Sequence, residues 1–397
     1  MQMMSKLFKI GFVILIILML SDACGKRVNI SQEPKVKLLK NLSFPKIDFE
    51  KSPKLRLLVW HDFIPRAVYD IFRTVYGIEV VPTLVDNNQG VWKIMRKFPD
   101  KYDLLFISNH MVKRMIKAGY IRRLNHDHIK NIRLLEEKVF RLKYDKGLRY
   151  TIPIAKGCVG IAFNINYVPG IPRTWGFVVN AIKNDYLNFR IGVRNEYRFS
   201  LGLALIYLGY SPNTTNLAEL EEAKRLLIAN IRHRGMTLIG PESTKRLIDE
   251  DLLLALDWNG NAAAALKKNY NIRFLLPEGK AIVSYESIAI NSKSKNVRTA
   301  EFFIDFLLIP QISALITNYN YFANCNPASL SFIHPIIRNG PGFIFPKEKY
   351  AVFLEDLGEN DKLYERIWEE VLRARPDPSL IKLPLPEVGI YREISTR

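Results

Sequence analysis

Leu55-Arg-Leu-Leu-Val-Trp-His-Asp-Phe63 is the stretch whose reading decides the fold. Leu55 to Val59 reads as a short buried strand ending in Trp60, His61 and Asp62. Pro65 then opens a helix, with Ala67, Val68, Ile71, Phe72 and Val75 at helical spacing and Gly77 as its C-cap. A second apolar run, Ile78 to Val85, follows at once. Strand, helix and strand in this order seed a parallel sheet. In open α/β sheets ligands bind beyond the carboxyl ends of the strands. Trp60 and Asp62 are therefore candidate ligand residues; the alternative is a core indole and a carboxylate at a helix N-terminus.

The pattern repeats downstream. Val91 to Phe98 reads as a helix, and Asp103 to Ile107 as a strand ending in Ser108-Asn109-His110. A helix with Val112, Met115 and Ile116 closes at Gly119. Gly157 to Asn164, rich in Gly and β-branched residues, predicts a strand with close backbone approach. Phe189 to Val193 is a strand leading to Arg194, Asn195 and Glu196, and Ser200 to Leu208 an apolar helix. Leu252 to Leu256 is a strand running into Asp257-Trp258-Asn259-Gly260, a second Trp beside a carboxylate, with Asn261 as cap of an Ala-rich helix. Ile282 to Ile290 is a strand containing Glu286, whose face it shares with Ser284 and Ile288. A carboxylate inside an apolar strand is costly unless paired or solvated; a ligand cleft and a salt bridge both meet that need. Tyr319, Tyr321 and Phe322 read as loop, and Lys362 to Arg373 as the last helix.

A length of 397 residues with 48% hydrophobic content suits two lobes, each burying its own core. The net charge is +19, but the Lys and Arg are scattered and no zinc-finger, RNA-binding or helix–turn–helix pattern stands out, so nucleic acid is not an expected partner. Residues 1–24 read as an export signal: Lys6 and Lys9 precede an apolar core, Ile10 to Leu20, shorter than the ~20 residues that span a bilayer. Ser21-Asp22-Ala23-Cys24 follows, and Cys24 is the candidate lipidation site; an ordinary signal peptide with a chance cysteine is the alternative. Residues 25–53 read as a tether and residues 381–397 as a tail. Cys158 and Cys325 either pair in an oxidising compartment or remain small buried hydrophobes.

Motifs of covalent catalysis, nucleotide binding and zinc binding are missing: no G-x-S-x-G, P-loop, G-x-G-x-x-G or H-E-x-x-H occurs. His126-x-His128 is the only close histidine pair and has no third ligand nearby, so neither a metal nor a cofactor is expected and the chain does not read as an enzyme.

The order of these pieces resembles the polyamine-binding subunits of bacterial ABC importers, the spermidine/putrescine-binding proteins. The stretches that carry the likeness are Val59-Trp60-His61-Asp62-Phe63-Ile64, Tyr102-Asp103-Leu104-Leu105, Tyr150-Thr151-Ile152-Pro153 with Gly157 to Asn164, and Leu208-Gly209-Tyr210-Ser211. Trp258-Asn259-Gly260, Ser287-Ile288-Ala289-Ile290 and Phe306-Leu307-Leu308 before Pro310 complete it, over about Leu55 to Arg373. The resemblance implies a two-lobed periplasmic-binding-protein fold of class α/β, with a central sheet in each lobe and the ligand between them. It places the crossings near Ala155 and Ser284. The first lobe is then 54–155 with 286–324, and the second 156–285 with 325–380.

The resemblance also implies a site. Trp60 and Trp258 fall on ring positions, Glu286 and Glu196 on acids, and Ser108 and Tyr321 on polar and aromatic lining positions. Asp62 and Asp257 stand beside motif positions. Such rings and carboxylates suit a polyamine, whose ammoniums need charge-assisted hydrogen bonds and whose spacer needs apolar and cation–π contact. There are departures: His61 for a hydroxyl residue, Phe63 for a Tyr, His110 for an aromatic, Ser284 for a Trp and Phe199 for an acid. Protonated imidazoles at His61 and His110 would repel a cation, so another small solute on the same fold remains an alternative, as does a surface lipoprotein with a degenerate cleft. The implied partners are a polyamine, the permease and ATPase subunits of an importer, and the membrane through a lipid anchor. The implied state is a monomer in the periplasm or at the outer face of the cytoplasmic membrane.

Overall fold

The structure, a computed structural model, describes residues 54–168, 170–176 and 187–385. The expected signal, Cys24, the tether and the end of the tail lie outside the described residues.

The deciding stretch folds as read. Strand β1 (Lys54–Trp60) runs into helix α1 (Arg66–Tyr76), and β2 (Glu79–Val85) returns parallel to β1 with Trp60 opposite Val85. Gly77 ends α1 in the left-handed region at φ 74°, where a side chain would be strained. Helix α2 (Asn88–Lys97) starts earlier than expected, because the Asn87 side chain caps it by accepting from Gly90 N. Strand β3 (Leu104–Ser108) pairs parallel to β1 and leads into α3 (Asn109–Lys117).

Two long strands join the halves. Strand β4 (Thr151–Asn164) is antiparallel to β9 (Ala281–Ile290) over Thr151 to Cys158. From Val159 onward it pairs instead with β7 (Leu254–Trp258), and near its end with β8 (Ile272–Leu275). Strand β9 lies against β3, with Glu286 directly opposite Ser108. Strand β5 (Ile191–Arg194) sits between β7 and β6 (Thr237–Ile239), giving the strand order β2-β1-β3-β9-β4-β7-β5-β6. Two short strands complete the sheet: β10 (Ala323–Asn324) on β4 and β11 (Ala351–Phe353) on β9.

Each half has apolar packing on both faces of its part of the sheet, as parallel strands flanked by helices require. In the first, α1 packs with Phe303 and Phe306 of α8 (Val297–Leu307) and with α9 (Pro310–Asn320), while α2 and α3 cover the other face through Val91, Met95 and Met115. In the second, α4 (Tyr197–Tyr207), α5 (Leu217–Arg234) and the late helix Asp361–Arg373 cover one face, through Leu201, Leu220 and Trp368. The Ala-rich α7 (Asn259–Lys268), which follows the short α6 (Ser243–Ile248), covers the other through Ala262 and Ala265. No single described helix is long and apolar enough to cross a membrane. Cys158 and Cys325 are buried and unpaired.

Behind the sheet junction the halves are tied by polar contacts. Arg114 of α3 bonds Asp361, which also accepts from Tyr197 Oη at 2.6 Å. Residues 341–345 form a further tie: Asn259 Nδ2 donates to the Gly342 and Ile344 carbonyls at 3.1 and 3.2 Å. A Cβ at Gly342 would stand 1.8 Å from the Tyr321 carbonyl oxygen. Gly342→Ala is therefore expected to destabilise the fold by about 2 kcal/mol, seen as a lower Tm by circular dichroism; a melt superimposable on the wild type would contradict this packing.

Candidate ligand-binding site

Three neighbouring strands deliver one wall. Trp60 closes β1, Ser108 closes β3, and Glu286 lies opposite Ser108 on β9. The Glu286 carboxylate accepts from Trp60 Nε1 at 3.0 Å, from Ser108 Oγ at 2.8 Å and from Ser284 Oγ at 2.6 Å. Asn88 holds Ser108 in place, donating to its Oγ at 2.8 Å and accepting from its N at 3.0 Å. Among the described residues, the hydrogen-bond partners of this carboxylate are thus neutral donors. Burial raises the Glu286 carboxyl above its ordinary range; the three hydrogen bonds pull it back, and the Glu196 charge adds to the rise. A half-buried carboxylate with hydrogen bonds but no cation among its described partners is poised to accept one from outside.

The opposite wall comes from the second half. Glu196 is the N-cap residue of α4, and Trp258 ends β7 and stands at the start of α7. Phe199 meets the Trp258 indole edge to face, with centroids 4.7 Å apart. Trp60, His61, Asp62, Phe63, Ser108, Glu196, Trp258, Glu286 and Tyr321 all line one cleft, with a cavity volume of about 220 Å³.

Two expected site residues do not reach that cleft. His110, in the first turn of α3, is buried and packs against Phe199 at 6.0 Å. Burial and the nearby Arg198 and Arg114 lower its pKa to about 3, so it stays neutral and presents no charge to a ligand. Asp257 is fully buried: side chains alternate along a strand, so it points away from the face of Trp258. It accepts from Trp258 N at 2.7 Å and Asn261 Nδ2 at 2.9 Å, anchoring the start of α7. That helix begins at Asn259, so Asn261 lies inside it and is not its cap.

The rest of the cleft is a mouth and a set of rings. His61 pairs with Asp86 at 3.0 Å, and Asp62, at φ 50°, accepts from Tyr319 Oη at 3.2 Å. Tyr319 belongs to α9, which runs on to Asn320, and Tyr321 caps it in the left-handed region at φ 65°. Lys267 Nζ stands 5.4 Å from the Tyr321 ring centroid. Asn88, Arg194, Asn261, Tyr319 and Phe322 also line the cleft and were not among the expected site residues. Arg194 was within reach of the sequence reading, since it ends a strand two residues before Glu196. His126 and His128 are engaged elsewhere, with the Leu148 carbonyl at 2.8 Å and with Glu301 at 2.6 Å.

Two α/β lobes joined by crossing strands, with an aromatic and acidic cleft between them, define a binding protein. The profile of the bacterial extracellular solute-binding protein family matches residues 67–334, and the chain belongs to that family. It is an extracytoplasmic binding protein and not an enzyme. The chain is 23% identical over 325 residues to spermidine/putrescine-binding periplasmic protein 1 of Haemophilus influenzae, covering 80% of this chain and 89% of that one. It is 26% identical over 340 residues to the putrescine-binding periplasmic protein SpuD of Pseudomonas aeruginosa, covering 80% and 91%. Among solved structures, a putative spermidine/putrescine ABC transporter protein from Listeria monocytogenes superposes with a TM-score of 0.76 at 23% identity, covering 82% of this chain and 100% of that one. The TpPotD lipoprotein of Treponema pallidum gives 0.71 at 23% identity, covering 80% and 99%.

Proposed function

We propose that the cleft binds a polyamine, spermidine or putrescine, and that the lobes close on it and deliver it to the permease and ATPase subunits of an ABC importer. The observation that carries this reading is Glu286: a half-buried carboxylate, held by three neutral donors, whose own donor Trp60 shares the cleft with Trp258. An ammonium supplies the missing counter-charge, and the indoles receive the methylene spacer. The relatives' names support the same ligand class. In this reading Trp60, Ser108, Glu196, Trp258, Glu286 and Tyr321 contact the ligand, with Phe63, His61 and Asp62 at the margins. The first lobe is 54–155 with 286–324, and the second 156–285 with 325–380. The protein acts as a monomer, held by a lipid on Cys24 at the outer face of the cytoplasmic membrane.

Isothermal titration of the purified protein with putrescine and with spermidine tests the reading. Saturable heat with at least one is expected, and none with either would overturn it.

The reading fixes a pH dependence. A carboxyl raised by burial stabilises the empty fold at acid pH and loses that contribution as pH rises through its folded value. An ammonium restores the balance, so binding favours the ionised form. Alkylammoniums stay protonated throughout pH 5 to 7, so only the protein titrates in that range. Affinity is expected to fall as pH drops from 7 to 5, with proton release on binding at the lower pH. Titration in buffers of different ionisation enthalpy measures that release, and a flat affinity with no release would contradict the assignment of Glu286.

A further inference from the structure

The cleft contains a positive charge that the polyamine reading does not use. Arg194 ends β5 and lines the cleft, with its side chain 8% exposed. Its Nη2 donates to Glu196 Oε1 at 3.0 Å, and its Nη1 to the Gly240 carbonyl at 3.0 Å. Nη1 also faces Asp257 Oδ1 at 3.5 Å. Glu196 in the cleft and Asp257, buried behind it, share this one guanidinium, so with both carboxylates ionised the pole as a whole carries one net negative charge although only Glu196 reaches the cleft surface. Glu286 supplies one more, with no cation among its partners. The remaining acids of the cleft, Asp62 and Asp86, are exposed at the mouth, where Tyr319 and His61 engage them. The rest of the lining is neutral: the rings of Trp60, Trp258, Tyr321 and Phe322, and amides such as Asn88 and Asn261.

We propose that Arg194 is a specificity-determining residue that sets the charge count of the cleft, fitting it to a linear diamine with an unbroken methylene spacer in preference to a triamine. The proposal rests on the polyamine reading above. Each end of a diamine meets one net negative charge. The inner ammonium of a triamine meets ring faces and neutral amides but no carboxylate of its own, and these contacts offset only part of the cost of stripping its water. It also carries a third positive charge toward a guanidinium that four contacts hold in place. Selection therefore comes from repulsion as well as attraction.

The test is titration with putrescine, cadaverine and spermidine of the wild type, of Arg194→Gln, and of Arg194→Gln combined with Asp257→Asn. The wild type is expected to bind a diamine at least tenfold more tightly than spermidine. Arg194→Gln removes the positive charge from the pole and is expected to shift that ratio at least tenfold toward spermidine, more so as pH rises, because Glu196 also loses the partner that holds its carboxyl down. The double variant restores a single net charge and is expected to bring the ratio back. Absence of heat with all three amines overturns the polyamine reading and this inference with it. Amine binding with spermidine equal or tighter in the wild type overturns this inference alone, whether or not the variants fold. An unchanged ratio in Arg194→Gln, or a ratio that stays shifted in the double variant, also overturns it, because charge would then not be what Arg194 contributes.

Discussion

Glu286→Gln is expected to weaken amine binding at pH 7 by about 2–5 kcal/mol, roughly 30-fold or more in Kd. The substitution keeps the shape and an acceptor oxygen for Trp60 Nε1, and the Ser108 and Ser284 hydroxyls can turn to suit the amide. What it removes is the charge that meets the ammonium. Because burial penalises that charge in the empty protein, the variant is expected to melt at the wild-type temperature or above it. Loss of affinity with retained or increased Tm separates a binding role from a structural one. Titration and a thermal melt measure the two quantities. Wild-type affinity in the variant would remove Glu286 from the site.

Trp60→Ala is expected to cost about 2–4 kcal/mol of binding. Three contributions are lost together: the ring face for the ammonium, the apolar wall for the spacer, and the Nε1 donor to Glu286 at 3.0 Å. Trp60 also walls a second cavity of about 420 Å³ on the outer side of β1, so truncation opens one space into the other and lets water reach Glu286. The ring packs against both apolar cores of the first half, so Tm falls as well. Trp60→Phe separates the parts: it retains a ring but not the donor, and its loss should be intermediate. With the donor gone, the Glu286 carboxyl rises further, so the fall in affinity toward acid should begin at higher pH than in the wild type. Titration of both variants at pH 5, 6 and 7 checks this order; equal affinities for Trp60→Ala and the wild type would contradict it.

The parts of the site that were legible in the sequence are those set by strand geometry. Trp60 and Ser108 end parallel strands, and such ends open on one edge of a sheet. Glu286 interrupts an apolar strand, and the energetic cost of that position pointed to a cleft or an ion pair. The structure puts it in the cleft, and it is Glu196 that pairs with an arginine. His110 and Asp257 were within a residue or two of strand ends but face the wrong way. Helix phase turns His110 into the packing, and strand alternation turns Asp257 behind the sheet. The second of these followed from the period of two, since Asp257 and Trp258 are adjacent. Phe322, which packs on Phe63 and stands close to Gly157 and Gly260, could not be placed without knowing how the two halves meet. Its neighbours are distant in sequence and no local pattern encodes them, whereas Arg194 ends a strand two residues before Glu196.

A crystal structure of the protein grown with putrescine tests the central claim most directly. The expected result is a ligand nitrogen about 2.7–2.9 Å from a Glu286 carboxylate oxygen, with the methylene chain against the indoles of Trp60 and Trp258. Diamine bound outside this cleft, or inside it with no nitrogen at Glu286, would contradict the account.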